Sequence, residues 1–163
     1  MSYPEPRYLA EKGEINAVFR PSSTEADLKI GAITEASYLA TGASTSGQFG
    51  LYRWDMGPQP SGPAAHFHRT MSESFFVLSG VVRLFNGDTW IDGHAGDFLY
   101  VPEGGIHAFR NESGAPASIL LLFVPGAPRE AYFETLGEIA AGRRKMTGED
   151  WAELFARHDN NMV

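Results

Sequence analysis

The chain has no cysteine among its 163 residues, which excludes a disulfide framework, a thiolate nucleophile and any Cys-ligated zinc. A metal, if held, must be held by His, Asp or Glu. Positive charge is scarce too: 13 Lys and Arg stand against 20 Asp and Glu, a formal net charge of −7, with a pI near 5.2. Such a field repels phosphate backbones and anionic lipid surfaces, so nucleic acid is a poor candidate partner. Long apolar runs are also missing. The longest, Ile119 to Val124, falls far short of the roughly 20 residues that a membrane-spanning helix needs. Glu5, Arg7, Glu11 and Lys12 leave no apolar stretch for a signal peptide. The expectation is a cytoplasmic protein that does not engage a membrane.

Turn formers, by contrast, are plentiful. The 18 glycines and 10 prolines make up about 17 % of the chain against a typical usage of about 12 %, and aromatics at 12 % argue against disorder. Domains commonly run to about 100–200 residues, so the chain fits one compact unit.

Residues 1–27 are polar, with Pro4, Pro6, Pro21 and a Ser22-Ser23-Thr24 cluster, and read as an arm that lies on the domain. Residues 28–126 read as an all-β domain. Short β-type runs at Leu28–Thr34, Ser37–Thr41, Gln48–Met56, Ala64–His68, Glu73–Leu78, Val81–Phe85, Thr89–Ile91, Phe98–Val101, Ile106–Arg110 and Ser118–Val124 have the spacing of a sandwich or barrel. Asn86-Gly87-Asp88 and Asp92-Gly93-His94-Ala95-Gly96 tolerate positive φ and predict antiparallel hairpins. Residues 127–163 switch period. Tyr132, Phe133, Leu136, Ile139 and Ala140 predict an amphipathic helix from near Pro128 to Gly142. Thr147 is a fitting N-cap for a second helix, with Glu149 and Asp150 in its first turn and Trp151, Leu154 and Phe155 on its apolar face.

The chemistry concentrates in Gly62-Pro63-Ala64-Ala65-His66-Phe67-His68-Arg69-Thr70-Met71-Ser72-Glu73. In a strand, residues i and i+2 share a face, so His66 and His68 present two imidazoles side by side. Glu73 follows after room for a short turn, and a carboxylate there can close a 2-His-1-carboxylate set. His-x-His followed by Glu is weak evidence on its own, because an exposed edge strand carries such residues by chance. A second stretch, from Gly96 to Asn111, contains Pro102, Gly104 and His107.

With these two stretches the sequence resembles the cupin superfamily, whose motifs are G-x5-H-x-H-x3,4-E-x6-G and G-x5-P-x-G-x2-H-x3-N. The second motif matches at Gly96, Pro102, Gly104, His107 and Asn111, and the first at His66, His68, Glu73 and Gly80. The opening glycine of the first motif is replaced by Pro60, with Gly62 two residues late. The resemblance spans roughly Gln48 to Pro125. It implies a cupin jelly-roll β-barrel, here followed by two C-terminal α-helices, and one divalent transition metal ion held by His66, His68, Glu73 and His107. Three imidazoles and a carboxylate suit Fe, Ni, Mn, Cu, Co or Zn better than Ca or Mg. Gly80, Gly96, Gly104, Pro102 and Asn111 are expected to shape turns. His94 and His158 fall outside the motif and are expected to face solvent, as are Arg53, Arg69, Arg83 and Arg110.

Alternation then suggests a pocket lining. Phe75 and Val77 share the face of Glu73, and Phe109 that of His107; on the preceding long strand either Tyr52, Trp54 and Met56 or Leu51, Arg53 and Asp55 face inward, the apolar set being preferred. These aromatics either line a site for a flat substrate or fill the core. The resemblance to single-domain flavonol (quercetin) dioxygenases implies a metal-dependent dioxygenase that takes O₂ and an aromatic or enolisable hydroxy compound, with Glu73 as catalytic base. Two other readings stand beside it: a non-redox cyclase or isomerase using the metal as Lewis acid, and a small-molecule-binding cupin without catalysis. Cupins usually pair as homodimers, so the resemblance also implies a homodimer.

Overall fold

The structure, a computed structural model, describes residues 2–163. In chain order its elements are β1 (Leu28–Ile30), β2 (Thr34–Ala40), β3 (Gly50–Met56), β4 (His66–Phe67), β5 (Ser72–Ser79), β6 (Val81–Phe85), β7 (Trp90–His94), β8 (Phe98–Val101), β9 (Ala108–Arg110), β10 (Ala117–Val124), α1 (Glu130–Ala140), α2 (Gly148–Arg157) and β11 (Asn161–Met162). Side chains from Tyr3 to Phe19 stand exposed, and the chain is fastened to the domain where Arg20 pairs with Asp27 at 2.8 Å.

One sheet runs β1-β2-β3-β10-β5-β8, a second β7-β6-β9 and a third β11-β4. All ladders are antiparallel, as the turn signals require. Paired bridges Ser61↔Asn111 and His66↔His107 join the last two sheets through β4 and β9. The architecture is the jelly-roll cupin fold, although its ladders do not close into one continuous barrel among the described residues. The inward face follows the alternation of the strands: Tyr52, Trp54 and Met56 of β3, Ile119, Leu121 and Phe123 of β10, and Phe75 and Val77 of β5 are all buried.

Several boundaries differ from the sequence expectation. The run Leu28–Thr34 is two strands, because Gly31 at φ 64° turns the chain between β1 and β2. Ladder pairing of Ala64–His68 is confined to β4, and β7 extends to His94, whose side chain is exposed as expected. His158 instead caps the C-terminus of α2, half-buried, with its ring 5.5 Å from that of Tyr132.

The late glycine of the first motif has a physical account. At Gly62 φ is 143°, and a Cβ there would lie 2.0 Å from the Phe109 carbonyl oxygen, so no side chain fits where this segment crosses β9. Asn111 is fully buried and structural: its amide donates to the carbonyls of Gly57 and Ala115, both at 2.8 Å, and its oxygen accepts from Ser113.

Both helices cover the open end of the sheets. Phe133 of α1 meets Trp54 and Tyr52 edge-to-face, with ring centroids 4.8 and 5.3 Å apart, and Tyr52 Oη donates to Glu130 at 2.5 Å. In α2 the Thr147 hydroxyl accepts from Asp150 N while the Asp150 carboxylate accepts from Thr147 N, a reciprocal cap.

Candidate metal centre

The His66↔His107 bridge places two strands in register so that His66 N donates to His107 O at 3.0 Å and His107 N donates to His66 O at 2.9 Å. His68 follows on the same side as His66, and Gly104, held at φ 80°, donates its amide to His68 O at 2.7 Å. Glu73 enters from β5, opposite Val101 of β8 and Phe123 of β10. One potential ligand atom from each of the four residues falls within 4.8 Å of the others, and all four are buried.

Orientation of the imidazoles is fixed from behind. The Nδ1–H groups of His66, His68 and His107 donate to the carbonyls of Ala64 (2.9 Å), Asp159 (2.7 Å) and Gly105 (2.9 Å), a tautomer assigned from these partners. Every Nε2 is therefore left to face the cluster. There the Nε2 atoms of His68 and His107 both meet Glu73 Oε2, at 3.0 and 2.8 Å. One carboxylate oxygen between two nitrogens that have already placed their Nδ1 protons must share an added proton. A divalent cation in place of that proton satisfies all the lone pairs at once. Ligand atoms within 4.8 Å of one another are close enough for one divalent ion to be held by all four residues. The donor set fits a divalent metal site.

Electrostatics agree. Burial alone favours neutral Glu73, but hydrogen bonds from His107 and His68 and their positive charge hold its carboxyl well below the usual carboxylate range. Burial also opposes charge on His107, yet the bond to Glu73 and the carboxylate's charge push its pKa up. His66 has no such bond. Burial, reinforced by the charge of His107, lowers it to about 4, so it is neutral near pH 7 and ready to ligate.

Above this cluster lies a cavity of about 400 Å³, within the range of small-molecule sites. Its floor includes His66 and Glu73; His68 and His107 do not reach its surface. Of the residues expected to line it, Trp54 and Phe109 do. Tyr52, Met56, Phe75 and Val77 are buried but lie in the core behind the wall, which corrects the expectation for those four. Alternation identified the inward face correctly, but Trp54 reaches the cavity between Tyr52 and Met56 of the same strand, so facing inward does not by itself decide which side chains line it.

The rest of the lining comes from residues that sequence reasoning did not single out for a site: Arg129, Tyr132, Trp151, Phe155 and Asn160 among them. One signal was present. Arg129 precedes a helix whose N-terminal dipole disfavours a cation. The four arginines considered earlier do face outward: Arg53 pairs with Asp55, Arg83 with Glu112 and Asp92, Arg110 with Glu112, and Arg69 donates to Asn161.

Comparison with known proteins agrees with this geometry. Residues 52–123 match the cupin domain, so this part of the chain carries a cupin domain. A curated relative, quercetin 2,3-dioxygenase of Bacillus subtilis (strain 168), is 32 % identical over 100 residues, which are 61 % of this chain and 29 % of that enzyme. The chain thus aligns with less than a third of the relative's length. Among solved structures, an RmlC-like cupin from Shewanella frigidimarina superposes with a TM-score of 0.59 at 17 % identity, over 72 % of this chain and 96 % of that one. KdgF from Halomonas sp. gives 0.58 at 12 % identity, over 68 % and 94 %. These likenesses establish the fold. No helix of the described residues is long and apolar enough to cross a membrane.

Proposed function

We propose that this protein is a metal-dependent cupin enzyme, a dioxygenase acting on an aromatic or enolisable hydroxy compound, with His66, His68, Glu73 and His107 as metal ligands and Glu73 as the catalytic base. The carrying observation is that Glu73 is both part of the buried cluster and exposed to an aromatic-walled cavity. The likeness to quercetin 2,3-dioxygenase over the cupin domain supports the reaction class. A bound transition-metal ion would supply an acidic centre for a substrate oxygen and, if redox-active, a route to O₂.

The chain's own residues do the remainder. Trp54, Phe109, Phe123 and Phe133 give a flat substrate stacking faces and exclude bulk water. Glu73 is ionised at neutral pH and stands on the cavity floor, where its carboxylate can accept the substrate's hydroxyl proton. His66, neutral and on the same floor, does not compete for that proton.

The test is metal analysis of freshly purified protein, followed by oxygen uptake on a panel of flavonols and enolisable hydroxy ketones. Glu73→Gln is expected to lower turnover by about 10²–10⁴-fold with metal still bound; unchanged turnover would falsify the assignment. Turnover without oxygen uptake on a redox-inert ion moves the protein to the cyclase or isomerase class. A retained small molecule with no turnover makes it a binding cupin. The edge strand β8 exposes Phe98 and Tyr100, and we propose that it pairs with a second copy as a homodimer, checked by light scattering.

A further inference from the structure

Arg129 is the one cavity-lining cation, and its surroundings are unusual for a charged group. It is 4 % exposed. Its guanidinium lies over the rings of Tyr132, Phe123 and Phe133, at 4.7, 5.2 and 5.6 Å from their centroids. Among the described residues it forms no ion pair with any carboxylate. Its hydrogen bonds go to neutral acceptors: one terminal nitrogen donates to His158 O at 2.7 Å and the other to Asn160 Oδ1 at 3.1 Å. A guanidinium has five N–H donors. Two are used, and Nε is buried with no partner at all.

A buried charge without a counter-charge is costly, and arginine cannot avoid it by deprotonating. The acid that shares the cavity lining, Glu73, is already engaged by two imidazoles. With a divalent ion on the cluster, three neutral imidazoles and one carboxylate leave a charge of about +1, and Arg129 adds another. Among the described residues, Glu73 is the single carboxylate lining this apolar cavity.

We infer that Arg129 is a substrate-recognition residue for an acidic group, so that the ligand of this cavity is a small carboxylate-bearing or comparably anionic ring compound rather than a neutral one. This rests on the cavity being the substrate site of the proposed enzyme. The three aromatic faces around the guanidinium hold its plane in place, and Asn160 and His158 fix two of its edges. The uncommitted donors then remain for the ligand's oxygens, the geometry in which arginine binds carboxylates best.

The test uses benzoate against its neutral isostere benzamide, read by quenching of tryptophan fluorescence, since Trp54 and Trp151 both line the cavity. Chelator-treated protein is used first, so that no carboxylate–metal bond contributes. Benzoate is expected to bind at least about tenfold more tightly than benzamide, and Arg129→Met to abolish that preference while leaving benzamide affinity in place. Arg129→Lys, which keeps the charge, is expected to retain part of the preference and guards against a variant that fails to fold. Equal binding of the two probes by the unaltered protein, or binding of neither up to about 10 mM, overturns the inference. So does a preference that survives Arg129→Met, which would leave Arg129 only a brace between α1 and residues 158–160. Metal content and oxygen uptake are separate readings: a protein that prefers benzoate but holds no metal sinks the proposed reaction and spares this inference, and the reverse pattern sinks this inference alone.

Discussion

The floor and the roof of the cavity are built by different means. On the floor, His66 and His107 are placed by a two-way backbone bridge, and the Nδ1 of each is anchored on a carbonyl only two residues away, Ala64 and Gly105. The roof is assembled from α1 and α2 by long-range side-chain contacts, such as Phe133 against Trp54. It joins the floor through the β11–β4 ladder and again at His68, whose Nδ1 is anchored on Asp159, 91 residues further along the chain. Under the proposed function, metal binding falls to the first region and choice of substrate to the second.

The largest expected effect comes from breaking the floor alone. His66→Ala removes a ligand whose backbone remains paired on both sides, so bound metal should fall from about one ion per chain to below about 0.1, while far-UV circular dichroism keeps the signal of both helices. Full metal occupancy in this variant contradicts the four-ligand site. Loss of the helical signal contradicts the separation of floor from roof.

Protons should distinguish the regions next. In the metal-free protein His66 has its pKa lowered from 6.5 to about 4 by burial and by the charge of His107. The unfolded chain therefore takes up a proton that the folded one refuses, and stability falls as pH drops from about 6.5 toward 4, by about 3 kcal/mol. His107 acts oppositely: raised by its bond to Glu73 against the cost of burial, it stabilises the fold below pH 6.5 and that contribution is lost as pH rises through its folded pKa. Thermal unfolding of the chelated protein should show maximal stability near pH 6.5. A flat profile from pH 4 to 8 would mean that the cluster is not coupled as its geometry implies.

The same division decides how much was legible in the sequence. His66 and His68 sit at i and i+2 of one strand, so spacing pairs them and leaves room for Glu73 to follow, whereas the full set with His107 came from the resemblance to the cupin motifs. The floor's supporting turns were readable for the same reason, since Gly80, Gly96 and Gly104 all adopt positive φ. The helices of the roof were readable as helices from their period and from the Thr147 cap. What they would touch was not, because no local pattern states that Asn160 meets Arg129 or that Asp159 meets His68. Alternation also misjudged Tyr52 and Phe75 as lining because it reports which face a side chain takes, not whether neighbouring side chains cover it.

The junction at Asp159 gives the smallest effect and the sharpest one. Its carboxylate accepts from Arg69 N, Thr70 N and Thr70 Oγ, each at 2.8 Å, and so ties the roof to the loop that follows His68. Its backbone sits at φ 53°, where glycine is at ease and alanine is strained. Asp159→Gly therefore removes the tie while permitting the turn, and Asp159→Ala disturbs both. If the roof orients His68 through this carbonyl, Asp159→Gly weakens metal binding by about tenfold and Asp159→Ala by up to about 100-fold, the scale of outer-shell effects on metal sites, measured by competition with a chromophoric chelator. Equal affinity in all three proteins would show that the floor holds His68 unaided, and that the roof contributes to the substrate cavity alone.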